Sequence, residues 1–398
     1  MKIAILSDFH LGYERFYDDA YLQAQEAVAK ASELADILVV PGDIFDNRSP
    51  KPEVLAQGIN LFRSLHSKNW EAKVASFDGP RKIFTNLPII AIPGTHERRS
   101  ENAENAVGLL NLAGLLVDIS EARAIIEKNG ENVAIYGVGG ISEERFRNFL
   151  KEKEIKPVEN AFNIFVFHQS IYDLMPFDKN FIYLEELPKG FDLYIDGHIH
   201  SKYEGVVHSM PFLIPGSTVL TQLKENEVEK KGFYLFDTSS RKYEFIEINS
   251  REFFVVKVDV SGKSPSSAFS EAEKTVGEIV ASHNMPVIRL VLTGEASSGF
   301  QQADFELFAI SKKFEEKAII EISKNIKDKA TEAEIDSIRN RAIENLSIKD
   351  FGIGIFLQKL GENNYTLDIN PSILFEILSS EKSKEKAVAK ALSSIFKQ

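Results

Sequence analysis

The amino-acid sequence predicts a layered α/β domain over residues 1–250, a small α+β capping domain over 251–325 and a helical region over 326–398. Before residue 250, short apolar runs rich in β-forming residues alternate with longer helical patterns, which is typical of layered α/β domains. Beyond Lys324, the sequence is rich in Lys, Glu, Ala, Ile and Leu, which favours helices. A chain of 398 residues also exceeds one ordinary domain.

The first domain contains seven apolar runs of strand length, most of which end at a chemically interesting residue. We expect strands at 2–7, 37–41, 89–93, 133–138, 164–167, 193–195 and 212–215. Helices are expected at 20–34 and at 52–66, the latter with Pro52 in its first turn. The segments 232–237 and 243–248 form a predicted closing hairpin. Ligands of α/β sheets bind beyond the carboxyl ends of the strands, so these ends are the candidate site.

The pattern changes after 250–252. We expect a strand at 253–260, a helix at 267–282, a strand at 287–293, a helix at 303–314 and a strand at 318–323. Near the C-terminus, apolar positions such as Ile373 and Leu392 lie on otherwise charged helices. Helices of that length need a surface on which to dock, either the capping domain or a partner protein.

Composition restricts the class of protein. The chain has 43% hydrophobic and 27% charged residues, no long uncharged apolar stretch, and a strand pattern from its first residues, so we expect a cytoplasmic protein that does not enter membranes. The absence of cysteine excludes disulfides and thiolate metal sites. The net charge of -12 argues against a nucleic-acid partner, unless bound divalent cations supply positive charge locally.

Carboxylate and imidazole residues recur at the ends of five predicted strands, and five of the eight histidines belong to this set. A single histidine at a strand end is more often structural than a ligand. Five such motifs converging on one sheet edge are hard to explain by packing alone. The set consists of Asp8 and His10, Asp43, His96, His168, and His198 with His200.

This set of residue types suits the hydrolysis of a phosphate ester. A phosphodiester is anionic and repels hydroxide, so catalysis requires positive charge near its oxygens and a nucleophile that ionises at neutral pH. Two divalent cations about 3.5 to 4 Å apart supply both. A carboxylate must bridge them, and Asp43, in a turn next to Gly42, is the natural candidate.

The sequence resembles the calcineurin-like metallophosphoesterases over residues 1–250. Within them it is most similar to the nuclease subunits of DNA double-strand break repair, of the archaeal meiotic-recombination-eleven type and its bacterial relative SbcD. The motifs that carry the resemblance are Ser-Asp-Phe-His-Leu-Gly at 7–12, Pro-Gly-Asp-Ile-Phe-Asp at 41–46, Ile-Pro-Gly-Thr-His-Glu at 92–97, Gly-His-Ile-His at 197–200 and Pro-Gly-Ser-Thr at 215–218.

The resemblance implies a metallophosphoesterase sandwich that holds two Mn²⁺ ions per chain. Asp8, His10, Asp43 and His200 would hold the first ion, and Asp43, His168 and His198 the second. His96 would stabilise the transition state or protonate the leaving oxygen. The implied partners are DNA, a second copy of the chain, and an ABC-type, SMC-like ATPase that binds the C-terminal helices. The implied location is the cytoplasm, in association with the nucleoid.

Two positions depart from the family pattern. Thr95 stands where the family usually has an asparagine ligand, so we expect the second metal site to be weaker or to use Thr95 or water as a ligand. At Asp46, some relatives carry a histidine linked to exonuclease activity, whereas SbcD-like members carry aspartate. The alternative interpretation is that Asp46 only caps the helix that begins near Pro52.

Several alternatives remain open at this stage. The chain is a Mn²⁺-dependent DNA endo- and exonuclease, a phosphatase or cyclic-nucleotide phosphodiesterase without a DNA role, or a scaffold whose site has decayed at Thr95. A leucine-rich set at helical spacing forms either the core or a homodimer face. This set comprises Leu55, Ile59, Phe62, Leu109, Leu110, Leu112, Leu115 and Leu116.

Overall fold

A computed structural model of the chain describes residues 1–99, 103–297 and 299–327. The predicted C-terminal helices, with Ile373 and Leu392, lie outside the described residues. The strands among the described residues are β1 (Lys2–Ile5), β2 (Ile37–Val40), β3 (Lys73–Asp78), β4 (Ile89–Ala91), β5 (Val117–Asp118), β6 (Ala122–Lys128), β7 (Glu131–Val138), β8 (Phe162–Phe167), β9 (Leu193–Asp196), β10 (Tyr203–Val207), β11 (Met210–Ile214), β12 (Gly232–Asp237), β13 (Lys242–Glu247), β14 (Phe253–Asp259), β15 (Val287–Glu295) and β16 (Ile319–Lys327). The α-helices are α1 (Tyr17–Leu34), α2 (Pro52–Arg63), α3 (Ala106–Leu112), α4 (Glu143–Glu152), α5 (Pro265–Ser282) and α6 (Phe308–Lys313).

Two sheets build the first part of the chain. The first has the order β13-β12-β1-β2-β4-β5, and its strands β1, β2, β4 and β5 run parallel. The second has the order β10-β11-β9-β8-β7-β6-β3, with β7, β8 and β9 parallel. Parallel neighbours end at the same sheet edge, so the loops that follow β1, β2 and β4 lie side by side, as do those that follow β8 and β9.

Alternating side chains place a core on each face of both sheets. In β1, Ile3 and Ile5 point into an apolar core that also contains Ile164 and Val166 of β8, so this core lies between the two sheets. Ala4 packs with the apolar sides of α1, α2 and α3 on the opposite face of the first sheet. The outer face of the second sheet packs Phe165 and Phe167 against Phe146 and Phe149 of α4. The result is a helix–sheet–sheet–helix sandwich.

This architecture confirms the predicted α/β fold class. Each of the seven predicted strands of the first domain is present within a few residues of its expected bounds, and β12 and β13 form the expected antiparallel hairpin. One helix was predicted too long. At 303–314, a short 3-10 turn at Gln302–Asp304 precedes α6, because Phe305 leaves the helical region with φ -86° and ψ 74° and its side chain is buried.

A third sheet has the order β14-β15-β16. The chain divides into two compact units, of which the first contains Met1–Val256, Thr275–Arg289 and Ser311–Glu321. The described part of the second contains Lys257–Lys274, Leu290–Ile310 and residues 322–327. The predicted domain boundaries near 250 and 325 stay predictions. No helix within the described ranges is long and apolar enough to cross a membrane.

Candidate metal centre

The carboxyl ends of five strands bring together all the residues that the sequence singled out. Asp8 and His10 follow β1, Asp43 follows β2, and Thr95 and His96 follow β4. From the second sheet, His168 follows β8, and His198 and His200 follow β9. The two sheets meet here directly, because the Nδ1–H of His168 donates to the carbonyl oxygen of Pro41 at 2.7 Å.

The first group of donor atoms comes from Asp8, His10, Asp43 and His200, and these atoms all lie within 4.8 Å of one another. The Nε2 atoms of His10 and His200 are 3.1 Å apart. They lie 3.9 and 3.7 Å, respectively, from Oδ1 of Asp8. Three potential ligand atoms thus face one small volume, which is the arrangement that a divalent cation requires.

The second group comes from Asp43, His168 and His198, so Asp43 belongs to both groups. Nε2 of His168 lies 3.2 Å from Oδ2 of Asp43. The hydroxyl of Thr95 lies 3.4 Å from the same Oδ2 and 3.4 Å from Nδ1 of His198. Thr95 therefore faces the second group. From this position, its hydroxyl or a water molecule held by it could complete the site.

The backbone at these residues has an unusual conformation. Asp8, His10, Asp43 and His198 all have positive φ, between 48° and 65°. Residues other than glycine rarely adopt this left-handed region of backbone conformation, and those that do cluster at functional sites. Glycine at position 42 is required because a Cβ there would lie 2.4 Å from Nδ1 of His168.

The donor atoms fit metal ions better than they fit one another. Both carboxylate oxygens of Asp8 are buried without a hydrogen-bond partner among the described residues. Leaving buried polar atoms unpaired costs about 1 to 3 kcal/mol each. The donors are nitrogen and oxygen only, which suits Mn²⁺, Fe²⁺ or Zn²⁺. The residues present therefore fit two cations that share Asp43.

His96 lies beside these groups but is exposed. Its Nδ1–H donates to the carbonyl oxygen of Asp46 at 2.8 Å, and its ring meets that of His10 edge-on at 4.8 Å. About two-fifths of its side chain is accessible. His10, Asp46 and His96 form a third cluster of possible ligands. Since both histidines direct Nδ1 at Asp46, hydrogen bonding already accounts for this cluster.

A family model described as "Calcineurin-like phosphoesterase" matches residues 1–202, just over half of the chain. The chain belongs to the calcineurin-like phosphoesterase family. Its fold is that of a layered α/β phosphoesterase, and its cluster of Asp and His residues is suited to binding a metal.

Similar curated proteins are DNA double-strand break repair proteins by name. The chain is 29% identical to "Double-strand break repair protein MRE11" of Encephalitozoon cuniculi, over 59% of this chain and 45% of that protein. It is 27% identical to "DNA double-strand break repair protein Mre11" of Methanopyrus kandleri, over 65% of this chain and 59% of that protein. It is also 27% identical to the Sulfolobus acidocaldarius protein of the same name, over 74% of this chain and 75% of that protein. The chain spans about half the length of the first curated relatives that it matches.

Hydrogen bonds hold each ring of the phosphoesterase centre in a defined orientation. Nδ1 of His10 donates to Oδ1 of Asp46 at 3.0 Å, which leaves Nε2 directed at Asp8. The ring of His198 is reversed, with Nε2 3.0 Å from the hydroxyl of Ser170 and Nδ1 towards Thr95. Such outer partners fix the tautomer and direction of ligating histidines.

Burial and charge set the protonation of the centre. Burial raises the pKa of Asp8 to about 6. Burial alone would lower the pKa of His168, but the carboxylate of Asp43 outweighs it and raises this pKa to about 10. Burial, with the charge of His168, lowers the pKa of His198 to about 4. Burial, with the charge of His10, holds the pKa of His200 well below its usual value. His198 and His200 are therefore neutral at pH 7 and keep a lone pair for a ligand bond.

Asp46 has a different role from helix capping. The residue before α2 is Lys51, and no side chain caps this helix. Asp46 instead anchors His10 through its carboxylate and His96 through its carbonyl oxygen. The capping interpretation is therefore wrong, because the side chain turns back towards the sheet edge and joins the two histidines.

Four further residues of the centre were not predicted from the sequence. Ser170 anchors His198, while Thr221, Glu227 and Lys231 form a buried chain of contacts that begins at His200. Burial alone would raise the pKa of Glu227, but Lys231 and the hydrogen bonds from Thr221 hold it below its ordinary value. The only signal in the sequence was that Glu227 and Lys231 are four residues apart next to a predicted strand, and that signal is weak.

Glu97 ties two loops of the centre together. It is fully buried, and its Oε1 and Oε2 each accept a 2.8 Å hydrogen bond, from the backbone N–H of Phe45 and of Gly94. We expect Glu97→Ala to lower the free energy of unfolding by about 2 to 5 kcal/mol, since both amides lose their acceptor. Urea unfolding of the metal-free protein measures this. Glu97→Gln keeps one acceptor, so its free energy of unfolding should lie between those of the parent and Glu97→Ala. An unchanged urea midpoint for Glu97→Ala would contradict the role of Glu97 in joining the two loops.

Proposed function

We propose that this chain is a Mn²⁺-dependent DNA endo- and exonuclease that processes DNA ends in double-strand break repair. The observation that carries the proposal is the sharing of Asp43 by two groups of nitrogen and oxygen donors, next to an exposed histidine. Two-metal phosphodiester hydrolysis needs this arrangement. The DNA role is supported by the names of the curated relatives.

Asp8, His10, Asp43 and His200 would hold the first ion, and Asp43, His168 and His198 the second, with Thr95 beside it. When bound, the two ions supply positive charge against the phosphate and allow water to ionise near neutral pH. The chain's part is to keep the ligand atoms aligned, through Asp46, Pro41 and Ser170. Aligned ligands require no rearrangement when a substrate arrives.

His96 is placed to handle the proton of the leaving oxygen. Its Nδ1–H is committed to the carbonyl oxygen of Asp46, which can only accept. Nε2 is therefore the atom that takes up or gives a proton. In the imidazolium form, Nε2–H can donate to the departing 3′ or 5′ oxygen of a cut strand. The exposure of the ring leaves room for a strand to approach.

The overall charge of -12 must be reconciled with a DNA substrate. Two divalent ions would add four positive charges where the phosphate binds, and local charge outweighs the global sum there. Arg98 and Arg99 follow Glu97 on the same loop as His96 and are exposed, so they can contact the DNA backbone. The same acidic charge favours a second candidate function, a phosphatase or cyclic-nucleotide phosphodiesterase that uses the same centre.

One assay separates the two functions. The protein is incubated with Mn²⁺ and labelled hairpin, single-stranded and blunt duplex DNA, in parallel with p-nitrophenyl phosphate and a cyclic nucleotide. A nuclease cleaves the DNA substrates, and His96→Ala cleaves them at least about a hundredfold more slowly. Turnover of the small phosphate esters alone would establish the phosphatase or phosphodiesterase instead.

Thr95 tunes the second ion in this proposal. A threonine hydroxyl is a shorter and poorer ligand than the asparagine carbonyl oxygen of the family. We expect Thr95→Asn to tighten binding of the second Mn²⁺ by on the order of tenfold, about 1.4 kcal/mol. Calorimetric titration, together with the Mn²⁺ dependence of DNA cleavage, measures the change. An identical dependence in the variant and the parent would rule out a ligand role for position 95.

The proposed assembly includes a second copy of the chain. Of the leucine-rich set, Phe62, Leu110, Leu115 and Leu116 are buried as core, whereas Ile59, Leu109 and Leu112 are each about two-fifths to one-half exposed. These exposed residues lie on α2 and α3 and support a homodimer face. Light scattering should give about twice 44.7 kDa. Ile59→Glu with Leu109→Glu should give a monomer, and Leu22→Glu on α1, equally exposed, should not. A monomeric parent at micromolar concentration would contradict the dimer.

The proposal also includes an ABC-type, SMC-like ATPase as partner, bound through the C-terminal helices, and a nucleoid-associated location in the cytoplasm. The apolar positions at Ile373 and Leu392, on otherwise charged segments, support a docking role. Deleting residues 371–398 should abolish co-purification with such an ATPase while DNA cleavage by the chain alone persists.

A further inference from the structure

Glu227 and Lys231 form an ion pair that is buried beside the metal centre. Their side chains are only 2% and 6% exposed, and Nζ of Lys231 lies 3.2 Å from Oε1 of Glu227. A buried ion pair generally stabilises a fold no better than apolar packing would, because both charges lose their hydration. The partners of the pair indicate a role other than stability.

The hydrogen bonds of the pair go to the carbonyl oxygen of His200 and to residues 217–222. The ammonium of Lys231 donates to the carbonyl oxygen of His200 at 3.2 Å, to the hydroxyl oxygen of Ser217 at 3.1 Å, and to Glu227. Oε2 of Glu227 accepts from the backbone N–H of Gln222 at 2.7 Å, and Oε1 accepts from the backbone N–H of Thr221 at 3.0 Å. The pair thus connects the backbone of His200 to the loop at residues 217–222 by hydrogen bonds.

The hydroxyl of Thr221 connects this pair to the ring of His200. Its Oγ1 lies 2.9 Å from Oε1 of Glu227 and 2.7 Å from Nδ1 of His200. A carboxylate can only accept, so the single hydroxyl proton of Thr221 goes to Glu227. The oxygen is then an acceptor towards His200, and the proton in that contact must belong to Nδ1.

We infer that Thr221, Glu227 and Lys231 are positioning residues that fix His200 in its Nδ1–H tautomer. In this tautomer the lone pair lies on Nε2, which faces Asp8 and His10 in the first group. Carboxylates next to ligating histidines act in this way directly. Here the carboxylate acts through a hydroxyl, and Lys231 keeps the carboxylate charged and oriented. The inference rests on the proposed function only in naming His200 as a ligand of the first metal ion.

The direct test reads the tautomer without any metal. Long-range ¹H–¹⁵N spectra of histidine-labelled, metal-free protein at pH 7.5 distinguish the protonated from the bare ring nitrogen, and His200→Gln assigns the signal. We expect the Nδ1–H form in the parent protein. Thr221→Val removes the acceptor at Nδ1, so the population should shift towards Nε2–H, whose proton faces Asp8. Thr221→Ser, which restores the hydroxyl, should restore the Nδ1–H form.

The matched control is Thr218→Val. Thr218 is fully buried three residues before Thr221, and its hydroxyl has no hydrogen-bond partner among the described residues. This variant should leave both the tautomer and metal binding unchanged. In Mn²⁺ titrations, Thr221→Val should weaken the tighter site by about 10- to 100-fold, with recovery in Thr221→Ser. If Thr221→Val does not fold, Glu227→Gln replaces it and should also raise the Nε2–H population.

Two outcomes would overturn the inference: an Nε2–H form in the parent protein, or an unchanged tautomer in every folded variant at Thr221 and Glu227. Neither depends on DNA cleavage. If the chain fails to cut DNA while the tautomer responds as expected, the proposed nuclease function fails and the role of the three residues stands.

Discussion

Replacing His96 by alanine should reduce DNA cleavage by about 10²- to 10⁴-fold, the usual contribution of a general acid. The ring is held by the carbonyl oxygen of Asp46 and lies against His10, but about two-fifths of the side chain is exposed. Because the two donor groups that share Asp43 do not include His96, Mn²⁺ affinity should stay within about twofold of the parent value, measured by calorimetry. Steady-state cleavage of labelled DNA measures the loss.

The leaving group distinguishes proton transfer from simple disruption. A nucleotide oxygen needs a proton as it departs, whereas p-nitrophenolate leaves without one. In bis-p-nitrophenyl phosphate, the loss caused by His96→Ala should therefore shrink to roughly tenfold or less. His66→Ala, at a histidine outside the centre, serves as the control and should leave both rates unchanged. Equal losses on both substrates would show that His96 stabilises charge or binds the phosphate and does not donate a proton.

The ends of the parallel strands made the centre predictable from sequence. β1, β2, β4, β8 and β9 are runs of apolar residues buried on both faces, so they stand out from their surroundings. Strands of one parallel group end at one edge, and the residues that follow them must meet. Asp43 was expected to be shared on chemical grounds, and the two donor groups overlap at this residue.

The strands at the margins were harder to predict. β3 lies at the edge of its sheet, and its residues are exposed or half-buried, so they show neither an apolar run nor clear alternation. β10 lies at the opposite edge, with Val206 two-thirds exposed. Strand signals depend on burial, and edge strands bury little. These strands become recognisable only when their partners in the sheet are known.

The residues that orient the ligands could not be predicted, because they lie far along the sequence from the histidines that they contact and only folding brings them together. Ser170 follows His168 in sequence but serves His198, 28 residues later. Thr221 and Lys231 reach His200 across 21 and 31 residues. No spacing rule connects such positions. Serine, threonine and lysine also occur throughout the chain on its surface, so their type carries no signal either.

Replacing Asp8 by asparagine should leave the metal-free protein no less stable, and it should remove the gain in stability that Mn²⁺ gives at the first site. Both carboxylate oxygens of Asp8 are buried without a hydrogen-bond partner among the described residues, and burial raises the pKa of this group to about 6. At pH 7.5 the folded, metal-free chain therefore carries a buried negative charge that is poorly compensated. Removing that charge should raise the unfolding temperature by a few degrees, about 1 to 3 kcal/mol.

Mn²⁺ should offset the stability advantage of the variant over the parent protein. At an ion concentration one hundred times the dissociation constant, a single site adds about 2.7 kcal/mol to the stability of the folded state. The parent protein should gain this stability at its first site in a thermal melt, and Asp8→Asn should lose that gain. Asp118→Asn is the control. Asp118 is equally buried, but Oδ1 accepts two hydrogen bonds from Ser120 and the residue belongs to neither donor group, so its replacement should leave the Mn²⁺ gain intact. An Asp8→Asn protein that melts lower without metal, and that gains as much from Mn²⁺ as the parent, would mean that Asp8 is an ordinary core residue. If the variant melts higher than the parent without metal and gains less from Mn²⁺, the buried carboxylate of Asp8 lowers the stability of the metal-free protein and binds the ion.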